Sequence, residues 1–252
     1  PMTYQIAVLV KQVPDLNAMR IDSATGKPIF GGQMVISSYD DYAIEEAIKL
    51  KEAYGAEVTV IAAGPAVAKD AVSRALAMGA DKGILLEVAS NDVDTRVLAR
   101  VLADQLAGGG FDLILTGQSS DDISTGQIGP QVAEYLGLPS VSSVVGLEAN
   151  GTTLSLVRDT EDGKQKVSVE TPVLIMASSG LNEPRYPSLK GIMAAKKKPL
   201  EITKVEATAS QDIAWSEPFR EERAATGTII ADVPPAEAAA QLAAWLREKK
   251  LV

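Results

Sequence analysis

The residues best suited to hold a ligand fall in one stretch. Residues 117–130 read Gly-Gln-Ser-Ser-Asp-Asp-Ile-Ser-Thr-Gly-Gln-Ile-Gly-Pro, with three glycines, three serines and a threonine ahead of a helix-like run. Glycine lets backbone N–H groups come close to an anion, hydroxyls add donors, and a helix N-terminus favours negative charge. Pro130 suits the first turn of such a helix. This composition would house a phosphate; the plainer alternative is a polar loop that only caps the helix. Asp121 and Asp122 oppose a bare anion site, and three uses stand open for them: orienting the loop, meeting ribose hydroxyls, or pairing on a metal. The stretch is not a Walker loop, because G-x-x-x-x-G-K-[ST] occurs nowhere and no G-x-G-x-x-G follows the first strand-like run.

Two residue types are missing altogether. The chain has no cysteine, which removes disulfides, thiolate metal sites and cysteine nucleophiles. It has no histidine, which removes the Ser-His-Asp triad and the usual general base near neutral pH. Carboxylate or lysine chemistry, hard-cation binding, or no bond chemistry at all remain. With 24 basic against 33 acidic residues the net charge is −9, the wrong sign for a broad nucleic-acid surface. Arg158-Asp159 reads as a solvated ion pair, and Lys196-Lys197-Lys198 as a solvated face. Leu189 and Met193, in a Pro-flanked stretch, read either as anchors of an arm or as an exposed apolar hook for a partner.

These residues need a frame, and the hydrophobic pattern supplies one. Strands are predicted at 5–10, 57–62, 83–87 and 113–116, as short apolar runs rich in β-branched residues. Between them, residues 40–54, 66–78 and a segment carrying Val93, Val97, Leu98, Val101, Leu102 and Leu106 have helical periodicity, the last with Asp92 as its expected cap. A further helix is predicted over 128–136. Alternation at this spacing requires right-handed crossovers and a parallel sheet. The expectation is an open, mostly parallel α/β sheet with helices on both faces. A small antiparallel hairpin (152–157 and 166–169, turning at Asp162-Gly163) and an apolar strand at 173–177 follow. Residues 181–235 carry six prolines and little apolar periodicity, and 236–249 is a terminal helix. A ligand on such a sheet is expected beyond the carboxyl ends of the strands: at 11–15, 37–40, 63–65 and 117–130.

Charged residues make up 23% of the chain and hydrophobic ones 46%, ordinary for a globular protein. No apolar run approaches the roughly 18 residues of a membrane span. Because the chain runs almost at once into a strand, the expectation is a protein without a signal peptide, cytoplasmic or, in a eukaryote, of the mitochondrial matrix.

The block Leu-Asn-Glu-Pro-Arg-Tyr-Pro-Ser-Leu-Lys-Gly-Ile-Met-Ala-Ala-Lys-Lys-Lys at 181–198 closely resembles the signature region of the beta subunit of electron transfer flavoproteins. Val-Lys-Gln-Val-Pro-Asp at 10–15, Ala-Ile-Glu-Glu-Ala at 43–47, Ala-Gly-Pro at 63–65 and Ala-Leu-Ala-Met-Gly-Ala-Asp at 75–81 fit that family in the same order. The resemblance implies a Rossmann-like domain of the adenine-nucleotide-binding type over 1–199, and an arm and helix over 200–252 that wrap a partner subunit. It implies an electron carrier without bond-making chemistry of its own: a heterodimer with an alpha subunit that holds most of one FAD. Electrons would come from acyl-CoA-type and related flavin dehydrogenases and pass to a membrane quinone oxidoreductase. The chain itself would bury a structural AMP and would be neither membrane-embedded nor a nucleic-acid binder.

By position, the resemblance places the AMP against Leu9, Ser37, Ser38, Tyr39, Asp40, Ala63, Gly117, Gln118, Ser119, Ser120, Asp121, Asp122, Ile123, Ser124 and Thr125. It makes Arg185, Tyr186, Pro187, Ser188, Leu189, Lys190, Gly191, Ile192, Met193 and Ala194 the loop that recognises the dehydrogenase, anchored by Leu189, and sets Asp159 facing the mobile flavin domain. Electron-bifurcating relatives carry a second FAD in place of AMP. Here Ser37-Ser38 replaces the Asn-Pro of many members and the phosphate loop is short, which favours AMP. Two readings from other classes use the same sheet and loop: a stand-alone adenine-nucleotide sensor of the universal-stress type, and an ATP-using enzyme of related fold.

Overall fold

A computed structural model of the chain describes residues 3–90, 93–207, 212–221 and 227–252. The chain divides into two compact units, Pro1–Pro218 and Phe219–Val252.

The first unit is built on a nine-stranded sheet: β1 (Gln5–Val10), β2 (Glu57–Gly64), β3 (Lys82–Glu87), β4 (Leu113–Gly117), β5 (Ser140–Asn150), β6 (Thr153–Thr160), β7 (Gly163–Glu170), β8 (Val173–Ala177) and β9 (Leu200–Lys204). Their order across the sheet is β7-β6-β5-β8-β4-β1-β2-β3-β9. Every pairing from β5 to β9 is parallel; β6 is antiparallel to both of its neighbours. The helices are α1 (Ser38–Tyr54), α2 (Lys69–Met78), α3 (Thr95–Leu106), α4 (Ile128–Leu136) and α5 (Leu189–Ala195).

The continuous apolar strands are explained by cover on both sides. Ile6, Val8, Val10, Val58, Val60, Leu113 and Leu115 pack with Ala43, Ile44, Ala47 and Ile48 of α1 and Val72, Ala75 and Leu76 of α2. The alternate residues Ala7, Leu9, Ile61, Ile84 and Ile114 pack with Ala99, Leu102 and Leu106 of α3 and Val132 and Ala133 of α4. Period-2 alternation thus serves two cores from one sheet. α1 stops at Gly55, whose φ of 73° is the left-handed turn that a helix end favours glycine for. After β1 the chain makes a short excursion in which Gln12–Pro14 pairs with Met34–Ile36, and Arg20–Ile21 with Pro28–Ile29.

Three features depart from the sequence reading. The antiparallel part has three strands rather than two, because Ser140–Asn150 adds β5 beside β6. Leu200–Lys204, read as arm, is the last strand of the sheet, parallel to β3. The cap of α3 is Asp94, whose side chain accepts from the Arg96 N–H at 2.9 Å; Asp92 lies outside the described residues. The second unit contains α6 (Pro235–Glu248), one residue from its expected place, and none of its side chains is buried. Among the described residues no helix is long and apolar enough to cross a membrane.

Candidate functional site

Strand order reverses at β1: β2 and β3 lie on one side of it and β4 and β8 on the other. Such a reversal leaves a crevice beyond the carboxyl ends of the central strands. A pocket lies there, lined by Leu9 of β1 and Lys11 just after it, Ala63 of β2, Thr116 and Gly117 of β4, residues 118–120, 123 and 125–127 of the loop that follows, the start of α4, and Thr95, Leu98 and Leu102 of α3.

Asp40, in the first turn of α1, ties the ends of two strands together. It accepts from the Lys11 N–H at 2.8 Å and from the Gly117 N–H at 3.0 Å, and is 5% exposed. Burial pushes its carboxyl up to about 8, against the pull of those two backbone donors. Gly117 leaves no room for a side chain: a Cβ there would overlap Asp40 Oδ1 and come within 2.7 Å of Tyr39 Cβ. The loop is latched to α1 a second time. The Ser38 N–H and Oγ each donate to the Asp121 carboxylate at 2.7 Å, and the Asp121 N–H donates to Ser37 Oγ at 3.1 Å. Asp122 pairs with Lys11 at 2.7 Å. Ser124 takes a φ of 56° and returns its N–H and Oγ to the Ser120 carbonyl at 2.8 and 3.0 Å.

The residues assigned to a nucleotide therefore divide. Leu9, Asp40, Ala63, Gly117, Gln118, Ser119, Ser120, Ile123 and Thr125 line the pocket. Ser37, Ser38, Asp121, Asp122 and Ser124 hold the loop in shape, and Tyr39 packs at Gly117. Of the three uses open to the aspartates, loop orientation is the one the geometry fills. Leu98 and Leu102 also line the pocket, though their spacing on α3 reads as ordinary core, and so does Thr95, which no pattern singles out; Thr95 Oγ1 donates to Gln127 Oε1 at 2.8 Å.

The donor set can be tested against a nucleotide. Among the described residues, the N–H groups of Ser119, Ser120, Thr125 and Gly126 have no acceptor within the chain, and all four residues line the pocket just before α4. Unpaired N–H groups beside a helix start suit a phosphate, while Leu9, Ala63, Leu98, Leu102 and Ile123 offer the apolar wall that a flat heteroaromatic ring needs. The residues fit an adenylate.

The 181–198 block forms a second feature, on the α1/α2 face. Ser188 caps α5 by accepting from the Gly191 N–H at 3.0 Å. Tyr186, Leu189 and Met193 are 86%, 76% and 64% exposed, and Ile192, Lys190 and Ala194 are exposed beside them, with Pro187 half-buried. Arg185, in contrast, is turned inward onto α1. Asp159, on β6, does not pair with its neighbour Arg158, as the sequence suggested, but with Lys164 across the hairpin at 2.9 Å. Arg158 donates instead to Ser142 Oγ at 3.0 Å.

Known proteins resemble this chain over most of its length. The family model described as electron transfer flavoprotein domain matches residues 30–208. The chain is 38% identical to the electron transfer flavoprotein subunit beta of Bacillus subtilis over 88% of its own length and 89% of the relative's. This chain belongs to the electron transfer flavoprotein family. It is also 44% identical over 77% of its length to the beta subunit of Thermoanaerobacterium thermosaccharolyticum, covering 75% of that protein. A third relative, at 37% over 79% of this chain and 77% of its own, is the caffeyl-CoA reductase-Etf complex subunit CarD of Acetobacterium woodii. Membership in the electron transfer flavoprotein family makes electron transport the role of this chain, and the absence of histidine and cysteine accords with it, since in flavoproteins the cofactor carries the redox step.

Proposed function

We propose that the chain is the beta subunit of a heterodimeric electron transfer flavoprotein, an electron carrier with no bond-making step of its own. In this reading an alpha subunit holds most of one FAD, which supplies the one- and two-electron chemistry when bound. The crevice beyond β1 and β4 holds a structural AMP. The N–H groups of Ser119, Ser120, Thr125 and Gly126 would take its phosphate, and Leu9, Ala63, Leu98 and Leu102 its base. Asp40, Ser38 and Asp121 hold that cradle in shape without touching the redox centre. The exposed side chains of residues 185–194, with Leu189 as anchor, dock flavin dehydrogenases of the acyl-CoA type, and electrons go on to a quinone oxidoreductase. Asp159 faces the flavin domain, the arm that follows β9 wraps the alpha subunit, and the complex works in the cytoplasm.

The observation that carries this reading is the match of nearly nine-tenths of the chain to a subunit beta; the unpaired N–H groups of the loop support the nucleotide part of it. The test is to co-express the chain with its alpha partner, record the visible spectrum, and count nucleotides released by heat. The expected result is a yellow heterodimer with one FAD and one AMP. A colourless, tight heterodimer would overturn the proposal. Two FAD and no AMP would replace AMP by a second flavin, a reading motivated by relatives named as subunits of acryloyl-CoA and caffeyl-CoA reductase assemblies.

A further inference from the structure

We infer that Arg185 is a positioning residue: it does not meet the electron donor but clamps the docking segment to α1, and so fixes where Leu189 is presented. The inference rests on the docking role proposed above for residues 185–194.

The segment cannot order itself. α5 has seven residues with Gly191 among them, too short and too glycine-weakened to hold a helix alone. Its exposed apolar side chains, Tyr186, Leu189 and Met193, contribute little packing beneath them. Ala195 packs against the core, and polar bonds grip the segment at its two ends. At the start, the Asn182 amide donates to the Tyr42 carbonyl at 3.0 Å and to Glu46 Oε2 at 2.8 Å. At the far end, Lys198 Nζ donates to the Leu76 carbonyl at 2.9 Å and the Ala80 carbonyl at 2.6 Å, closing the end of α2. Between them Gly191 passes so near the Ala77 carbonyl that a Cβ would overlap it.

Arg185 is the strongest of these grips. Its Nε donates to Glu45 Oε2 at 2.9 Å, its Nη2 to Glu45 Oε1 and Glu52 Oε2 at 2.9 Å each, and its Nη1 to Glu52 Oε1. Its backbone N–H adds a bond to Glu45 at 3.1 Å. Four of the five guanidinium donors are thus spent within the chain, leaving little to offer a partner. Glu45 and Glu52 stand two helical turns apart along one face of α1, and only a planar fork bridges both carboxylates at once; a lysine ammonium does not. The Glu45 side chain is 6% exposed, under the guanidinium, so a docking protein cannot reach it directly.

The experiment uses the assembled flavoprotein in three variants: Arg185→Lys, the pair Glu45→Gln/Glu52→Gln, and Leu189→Ala as the docking control. Two readouts are taken: hydrogen exchange of the 189–195 amides, and flavin reduction by a short-chain acyl-CoA dehydrogenase with butyryl-CoA. If Arg185 positions, Arg185→Lys and the Gln pair both speed exchange and raise the KM for the dehydrogenase by about tenfold, the factor that loss of one charge-assisted bond corresponds to. The maximal rate and bound flavin stay at the parent level. A KM raised by Arg185→Lys alone, with the Gln pair and the exchange unchanged, would mean direct contact with the donor and overturn the inference. Loosened exchange with no KM change in any variant, Leu189→Ala included, sinks the docking reading but still bears out the clamp.

Discussion

At the scale of single residues, Asp40 shows how one side chain can serve a binding site without binding anything. It spends both oxygens on backbone N–H groups at the ends of β1 and β4, and so sets the width of the crevice between them. Its carboxyl is raised to about 8 by burial, whereas in the unfolded chain it titrates near the usual value of about 4. Between those values the folded protein binds more protons than the unfolded one, so this group makes stability fall as pH rises from about 4 to about 8. Asp40→Asn removes the titration, and leaves one backbone N–H facing an amide NH2 at a cost of about 1–3 kcal/mol. Denaturant unfolding of the complex should therefore show a variant that is less stable at pH 5 and whose curve is flatter up to pH 8. An unchanged slope would show that Asp40 does not titrate in this window. Gly117 is a second case. Its sequence context suggested close approach to a phosphate, but what forbids a side chain is Asp40 and Tyr39. Gly117→Ala should accordingly loosen the α1 start and lower nucleotide content together; normal nucleotide content in that variant would mean the crevice tolerates the shift.

At the scale of elements, the helices and strands around the crevice were legible because each carries a strong period. Gln5–Val10, Ile128–Leu136 and Val173–Ala177 fall where the pattern put them. β5 was not legible: Ser-Val-Ser-Ser-Val-Val-Gly mixes small polar residues with valines, and only its neighbours β6 and β8 make it a strand. β9, with Leu-Glu-Ile-Thr-Lys, is an edge strand whose order comes from pairing with β3 rather than from burial. The site was half legible for a related reason. Sequence names the loop that holds a ligand, but which of its residues turn inward is decided by bonds across the fold, such as those between Asp121 and Ser37-Ser38. α3 makes the same point at its start, where Asp94 caps the helix and also accepts from the N–H groups of Asp212 and Ile213 at 2.8 and 3.0 Å. The Arg96 N–H, first among these donors, holds its carboxyl below the ordinary range. Asp94→Ala should cost about 0.5–2 kcal/mol from the lost cap alone, and should speed hydrogen exchange at residues 212–213. A variant that keeps both its stability and that protection would show that the cap and the latch carry nothing.

At the scale of the whole molecule, the two units differ in kind. Residues 1–218 own two cores, one on each face of the sheet, and need no partner to bury them. Residues 219–252 are too few to build a core of their own, since a chain of that length buries too little surface to offset the entropy of ordering it. Their helix α6 leaves Leu242 and Trp245, one turn apart, about half exposed, and Phe219 and Ile229 are more open still. If the proposed role of this arm is right, it gains its order from the alpha subunit, over the large apolar contact that obligate partners share. A chain ending at Pro218 should then keep its far-UV circular dichroism and its cooperative melting, because the sheet and both cores are intact. Co-expressed with the alpha subunit, it should elute from size exclusion largely as separate chains, with the flavin lost from the beta-containing fraction. Stable, yellow heterodimer from the shortened chain would move the assembly interface onto the first unit, where the exposed Leu16, Ile29 and Phe30 of the excursion after β1 would be the next surface to mutate.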